Sequence, residues 1–115
     1  MKLHTEKGEV IINSDVFTTI TGAAATNCYG VKGMAVRSKT DGLVHLLRRE
    51  AMSRGVRVSF NDDDTISIDL HIMVDRGVNL SAISESIIKE VRYNVTKATG
   101  TEVRAINVFV DSVSP

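Results

Sequence analysis

The nine residues Ile66-Ser67-Ile68-Asp69-Leu70-His71-Ile72-Met73-Val74 place a branched aliphatic side chain at every second position. A period of two belongs to an extended strand, in which successive side chains point to opposite faces. Ile66, Ile68, Leu70, Ile72 and Val74 therefore define a face to be buried, with Ser67, Asp69, His71 and Met73 on the reverse. A strand covered on both faces reads as one continuous apolar run, so this alternation commits the chain to a sheet with one covered and one open side.

The flanking residues extend that commitment. Val56, Val58 and Phe60 alternate in the same way, and Asn61 to Asp64 supplies turn-formers, which predicts an antiparallel hairpin. Beyond the central strand Gly77 breaks the chain and Asn79 stands as a helix cap. Leu80, Ile83, Ile87, Val91, Val95 and Ala98 then step at threes and fours, which predicts a long amphipathic helix closed by Gly100. A last strand carries Val103, Ile106, Val108 and Val110, and its slip of phase near Ala105 marks a bulge. Strand, helix and strand in this order form a parallel crossover unit.

Upstream the signals are shorter. Residues 1–7 are mixed and polar, which predicts a flexible end, and Gly8 to Ile12 predicts a short strand. Ser14 is placed as an N-cap with Asp15 in the first turn, followed by a helix marked by Val16, Ile20, Ala23 and Ala24 and ended by Gly30. Met34 and Val36 predict a strand. Leu43, Leu46, Leu47 and Ala51 predict a short amphipathic helix ended by Gly55, with Arg48, Arg49 and Arg54 elsewhere on its wheel. The expected architecture is α+β, a two-layer sandwich. Its mixed sheet has about five strands, in the chain order β-α-β-α-β-β-α-β, and its helices cover one face. Residues 1–115 suit a single domain with one core.

Composition narrows the function. Hydrophobic residues at 43% and charged residues at 24% belong to a globular chain rather than a disordered one. A formal net charge of zero gives no overall field toward nucleic acid or anionic lipid. The charges are segregated, however. Basic residues dominate positions 32–57 and acidic residues positions 58–90, a segregation suited either to internal pairing or to complementary contact between copies of the chain. No apolar run reaches the roughly 18 residues that span a bilayer, and the N-terminus lacks the basic-then-apolar order of a leader. Membrane attachment is expected only through a partner. The single cysteine, Cys28, fits a reducing compartment.

The residues able to carry chemistry do not assemble into a site. Gly30-Val31-Lys32-Gly33 has the spacing by which one RNA-binding module clamps a backbone, and with the basic segment 32–57 it defines an alternative reading as a nucleic-acid-binding module. That module needs a helix after the loop, where Met34 to Val36 reads as a strand. Cys28 lies near a helix C-terminus, where the dipole disfavours a thiolate, so it reads as a buried structural thiol. Asp69 and His71, with Asp75 beyond, are the residue types of metal ligands or of an acid/base pair. On an open sheet face the same types serve solvation or an interface. Asp62 to Asp64 lacks the twelve-residue calcium-loop pattern with its closing Glu. Aromatic residues at 4%, with no Trp, leave no platform for stacking bases or sugars. The expectation is a binding module: not an enzyme, with no catalytic residues, no metal and no cofactor.

Taken together the motifs resemble the alkaline shock protein family, the envelope stress response proteins of Gram-positive bacteria. The matching pieces are Gly8-Glu9-Val10-Ile11-Ile12, Val16 with Ile20 and Ala23-Ala24, Gly30-Val31 and Gly33-Met34, and Gly55-Val56 with Val58. They continue through Ile66-Ser67-Ile68-Asp69-Leu70, Gly77-Val78-Asn79, Thr99-Gly100 and Ile106-Asn107-Val108. Arg76 stands where the family typically carries an aromatic residue. The resemblance implies a small cytoplasmic protein without enzymatic activity, linked to envelope or alkaline stress. Some members collect beneath the membrane through a membrane-anchored partner and self-assemble. The family has no established catalytic residues to carry over. The resulting expectation is a self-associating scaffold or adaptor, a homo-oligomer that docks to a partner protein at the membrane. Its candidate partner surface comprises Ser67, Asp69, His71 and Met73 on the open strand face and Arg48, Arg49 and Arg54 on the basic helix.

Overall fold

The computed structural model describes residues 1–28, 30–37, 44–46 and 55–114. Along them run β1 (Lys2–Thr5), β2 (Gly8–Ile11), α1 (Ser14–Thr26), β3 (Val31–Arg37), β4 (Val44–Leu46), β5 (Val56–Phe60), β6 (Ile66–Val74), α2 (Leu80–Thr99) and β7 (Val103–Val113). The class is α+β as expected, with a mixed five-stranded sheet backed by helices and a separate two-stranded hairpin.

β6 is the strand to which the others attach. All five members of its aliphatic face, Ile66 to Val74, are fully buried, while the four residues between them are half-buried. Each such burial is worth about 1.5–3 kcal/mol relative to exposure, so this single face anchors the core. On one side β6 pairs in parallel with β7 along its whole length. Its other side is shared. β5 runs antiparallel against Ile66 to Leu70, and β3 runs antiparallel against Ile72 to Val74, leaving His71 between the two ladders without a partner from either.

The helices close the buried face. On α2 the stripe Ile83, Ile87, Val91 and Val95 is buried and meets the β6 aliphatics. Asn79 caps this helix by accepting from the Ala82 amide at 3.1 Å. Gly100 ends it with φ +74, a left-handed geometry that a residue without Cβ adopts at no steric cost. α1 packs against α2, and its small residues Gly22, Ala24 and Ala25 are buried. The β5–β6 turn is closed by the Asn61 amide donating to the Thr65 carbonyl at 2.9 Å.

Five expectations are corrected. Residues 1–7 are not a frayed end: β1 pairs with β2 from Lys2↔Ile11 to Thr5↔Gly8. The expected helix beginning at Leu43 is overturned over Val44–Leu46, which forms β4 against Ala35–Arg37. β3 pairs with β6 only as far as Met34, so its last residues take hydrogen-bonding partners from β4, and this tertiary demand outweighs the local apolar spacing. The remainder of that expected helix lies outside the described residues. The cap of α1 is Asn13, not Ser14, its side chain accepting from the Asp15 amide at 3.2 Å. Asn and Ser are near-equal caps, so two adjacent candidates cannot be ranked by type. The same helix ends at Asn27 rather than at Gly30. Finally, β3 begins at Val31, directly after Gly30.

Candidate functional site: the open face of the sheet

The open face is built from alternate residues of two parallel strands. Pairing in register sets Ser67 beside Ala105, Asp69 beside Asn107 and His71 beside Phe109. Parallel partners share a face, so the row read from β6 gains a second row from β7.

Most members of the face are tied down. Ser67 accepts from the Asn61 side-chain amide at 3.1 Å, and Asp69 accepts from the Asn107 side-chain amide at 2.9 Å. The His71 ring stacks on Phe109 with centroids 4.7 Å apart and planes 11° from parallel. Its Nδ1 lies 2.9 Å from Asp111 Oδ2. An ionised carboxylate only accepts, so this contact puts the proton on Nδ1 and turns Nε2 outward. The His71 side chain is 41% exposed and that of Asp111 20%.

Asp111 lies two residues after Phe109 on the same strand face, one step along from His71. The register shifts between the Ile72↔Val110 and Met73↔Ser112 pairs, which makes Asp111 the extra residue of a bulge. A bulge breaks the strict alternation beyond that point, which sets Ser112 beside Met73 on the open face. A second shift lies between Val103 and Ala105, where the sequence phase had slipped.

The expected strand-face residues Ser67, Asp69, His71 and Met73 are brought together as a row. Arg48, Arg49 and Arg54 lie outside the described residues. Sequence reasoning missed Asn107, Phe109 and Asp111; their only signal was the polar-aromatic-polar alternation of the last strand, which local periodicity could not align with β6. Other candidates take structural roles. The Cys28 thiol is buried and donates to the Ala24 carbonyl at 3.4 Å. Burial pushes it above the ordinary thiol value, only partly offset by a hydrogen bond with Ser86. The Asp63 carboxylate accepts from the hydroxyl and amide of Thr65, and these bonds hold it below the usual carboxylate range. Gly30 to Gly33 opens into β3, so no helix follows to complete a backbone clamp.

Among the described residues, three concavities lie elsewhere. One of about 500 Å³ sits at the start of α2 between Gly30, Arg76 and Asn79. One of about 480 Å³ lies between Asp63, Arg92 and Arg104. The third, about 340 Å³, lies between Ile20 and Asn94. Asp69 and His71 line none of them. Chemically, the open face offers a held imidazole, a half-exposed phenyl ring and satisfied carboxylates, a set suited to recognition of another surface.

Comparison with known proteins agrees with the sequence resemblance. A family model for alkaline shock protein 23, described as having a cell envelope-related function, matches residues 2–115. The protein YloU of Bacillus subtilis (strain 168) is 35% identical over 114 residues, 98% of this chain and 94% of that protein. The protein Spy1614 of Streptococcus pyogenes serotype M6 is 33% identical over 114 residues, 98% of this chain and 93% of that protein. A solved structure of a MamM CTD variant is similar in fold, with a TM-score of 0.50 at 17% identity, covering 86% of this chain and 94% of that one.

Proposed function

The chain belongs to the alkaline shock protein 23 family, whose function is cell envelope-related, and on that premise we propose that it is a non-enzymatic, self-associating adaptor that docks to a partner protein at the membrane through the open face of its sheet. The observation that carries this reading is the His71–Phe109–Asp111 assembly. Phe109 keeps 44% of its surface exposed while its ring is stacked on an imidazole that a carboxylate holds in place. A rigid, partly exposed aromatic ringed by satisfied polar groups has the anatomy of an interface hot spot and loses little side-chain entropy on binding. Among the described residues no helix is long and apolar enough to cross a membrane, which favours attachment through a partner.

The test is retention of a solubilised membrane-fraction protein by the immobilised chain. Phe109→Ala is expected to cut retention at least tenfold, since hot-spot truncation costs about 2 kcal/mol or more. Tyr93→Ala, on the exposed outer side of α2, should leave it intact. Equal retention by both variants, with circular dichroism unchanged, refutes docking through this face.

A further inference from the structure

The polar groups around Phe109 divide unevenly into donors and acceptors. Three donors are used within the face. The Asn61 side-chain amide donates to Ser67 at 3.1 Å, that of Asn107 to Asp69 at 2.9 Å, and His71 Nδ1 to Asp111 at 2.9 Å. Outward, the same groups present lone pairs. Asp69 and Asp111 each accept one such bond among the described residues, and an ionised carboxylate has room for several. Nε2 of a neutral imidazole protonated at Nδ1 can only accept, and among the described residues no hydrogen bond reaches it. The cation nearest in register, Arg57 opposite Asp69, makes no ion pair within 4 Å among the described residues.

Asp111 decides this balance at the centre of the face. Its carboxylate accepts and cannot donate, so it holds the ring in one tautomer. A carboxamide in its place could donate to Nδ1 and leave the proton on Nε2. The Phe109 ring, 11° from parallel to the imidazole and 44% exposed, sets an apolar plane beside the outward nitrogen. A group that fits both carries a donor next to an apolar surface. An acidic or phosphorylated segment would bring its own lone pairs against Nε2, Asp69 and Asp111, and the face rejects it.

We infer that the partner of this face is a protein segment that seats an N–H or O–H donor on His71 Nε2, carried by an apolar or aromatic side chain lying against Phe109. In that arrangement Asp111 is the positioning residue that keeps Nε2 an acceptor. Side chains with an apolar body and a donor tip are common at interfaces, where hot spots tend to meet hot spots. This inference deepens the docking proposed above and rests on it.

Nitrogen NMR of the imidazole and the retention assay above test it together. At about pH 8.5, about two units above the ordinary imidazole value, wild-type His71 is expected to show a protonated Nδ1 and a bare Nε2. Asp111→Asn should move a large share of the rings to the form protonated at Nε2, a change that a merely structural contact would not produce. His71→Phe keeps a ring for the stack and removes the lone pair. Both variants should cut retention of the membrane-fraction protein by about threefold or more, the usual weight of one hydrogen bond. A wild-type ring protonated at Nε2, as the other tautomer or as the cation, overturns the inference. So does retention that falls with Phe109→Ala but holds with His71→Phe and Asp111→Asn, and that result leaves docking through the face in place. Retention untouched by all three removes the docking reading and this inference with it. Should a variant fail to fold by circular dichroism, the wild-type spectrum and the remaining variant decide.

Discussion

Gly30→Ala gives the sharpest test of how α2 is seated on the sheet. Gly30 has φ +90, and its carbonyl accepts from the Asp75 amide at 2.8 Å, fixing the end of β6 to the start of β3. A Cβ added there would lie 2.7 Å from Ile83 Cδ1 and 2.9 Å from Val78 Cγ1. Both neighbours are branched side chains on the α2 approach, so they yield only by shifting the helix or leaving their rotamers. The backbone penalty of positive φ for an L residue is about 1–2 kcal/mol, and crowding of a packed site adds about 1–3 kcal/mol. Gly77 isolates the first contribution, because it has φ +86 and nothing within 4 Å of an added Cβ. Near this chain length 1 kcal/mol moves the melting temperature by about 4 °C. Gly77→Ala is therefore expected to lower Tm by about 4–8 °C and Gly30→Ala by about 8–20 °C, measured by calorimetry at one pH. Equal losses at the two positions would show that the helix does not press on Gly30 and would refute the packing described.

Three further outcomes follow from two buried side chains, Thr21 and Cys28. The Thr21 hydroxyl is buried with no hydrogen-bond partner among the described residues, so Thr21→Val, nearly isosteric, should hold stability or raise it by about 1 kcal/mol in urea unfolding. A loss of similar size would mean that the hydroxyl is satisfied in solution. Cys28 should react with a thiol reagent far more slowly in the folded chain than in urea, since burial keeps the thiol protonated. The linkage has a definite sign. The folded thiol holds its proton to higher pH than the unfolded one, so its contribution is complete below the ordinary thiol value and is lost as pH rises through it. Between about pH 7 and about pH 10 the wild-type urea midpoint should therefore fall more than that of Cys28→Ala.

The parts of the fold visible in the sequence were those governed by short-range physics. The phase of β6, its hairpin with β5, and the Asn79 and Gly100 ends of α2 depend on residues a few positions apart. The slip at Ala105 was legible because a bulge disturbs local alternation. What escaped notice depends on distant partners. β1 reads as polar chain until Leu3 meets Val10 across a turn, and Val44–Leu46 reads as helix until the last residues of β3 require a neighbour. The site divides along the same line. One strand's contribution, Ser67 to Met73, was evident. The other half was hidden because Asp111 lies 40 residues beyond His71 and reaches it only through a parallel register.

The break at His71 between the β3 and β5 ladders also bears on how the sheet tolerates insertions. β5 and β3 are laid end to end along one border of β6 and do not pair with each other. The stretch joining them can lengthen or shorten without transmitting a register slip from one ladder to the other. Variation in length among relatives should accordingly gather between positions 37 and 56, while the crossover from β6 to β7, whose two ends share one uninterrupted ladder, keeps a fixed span.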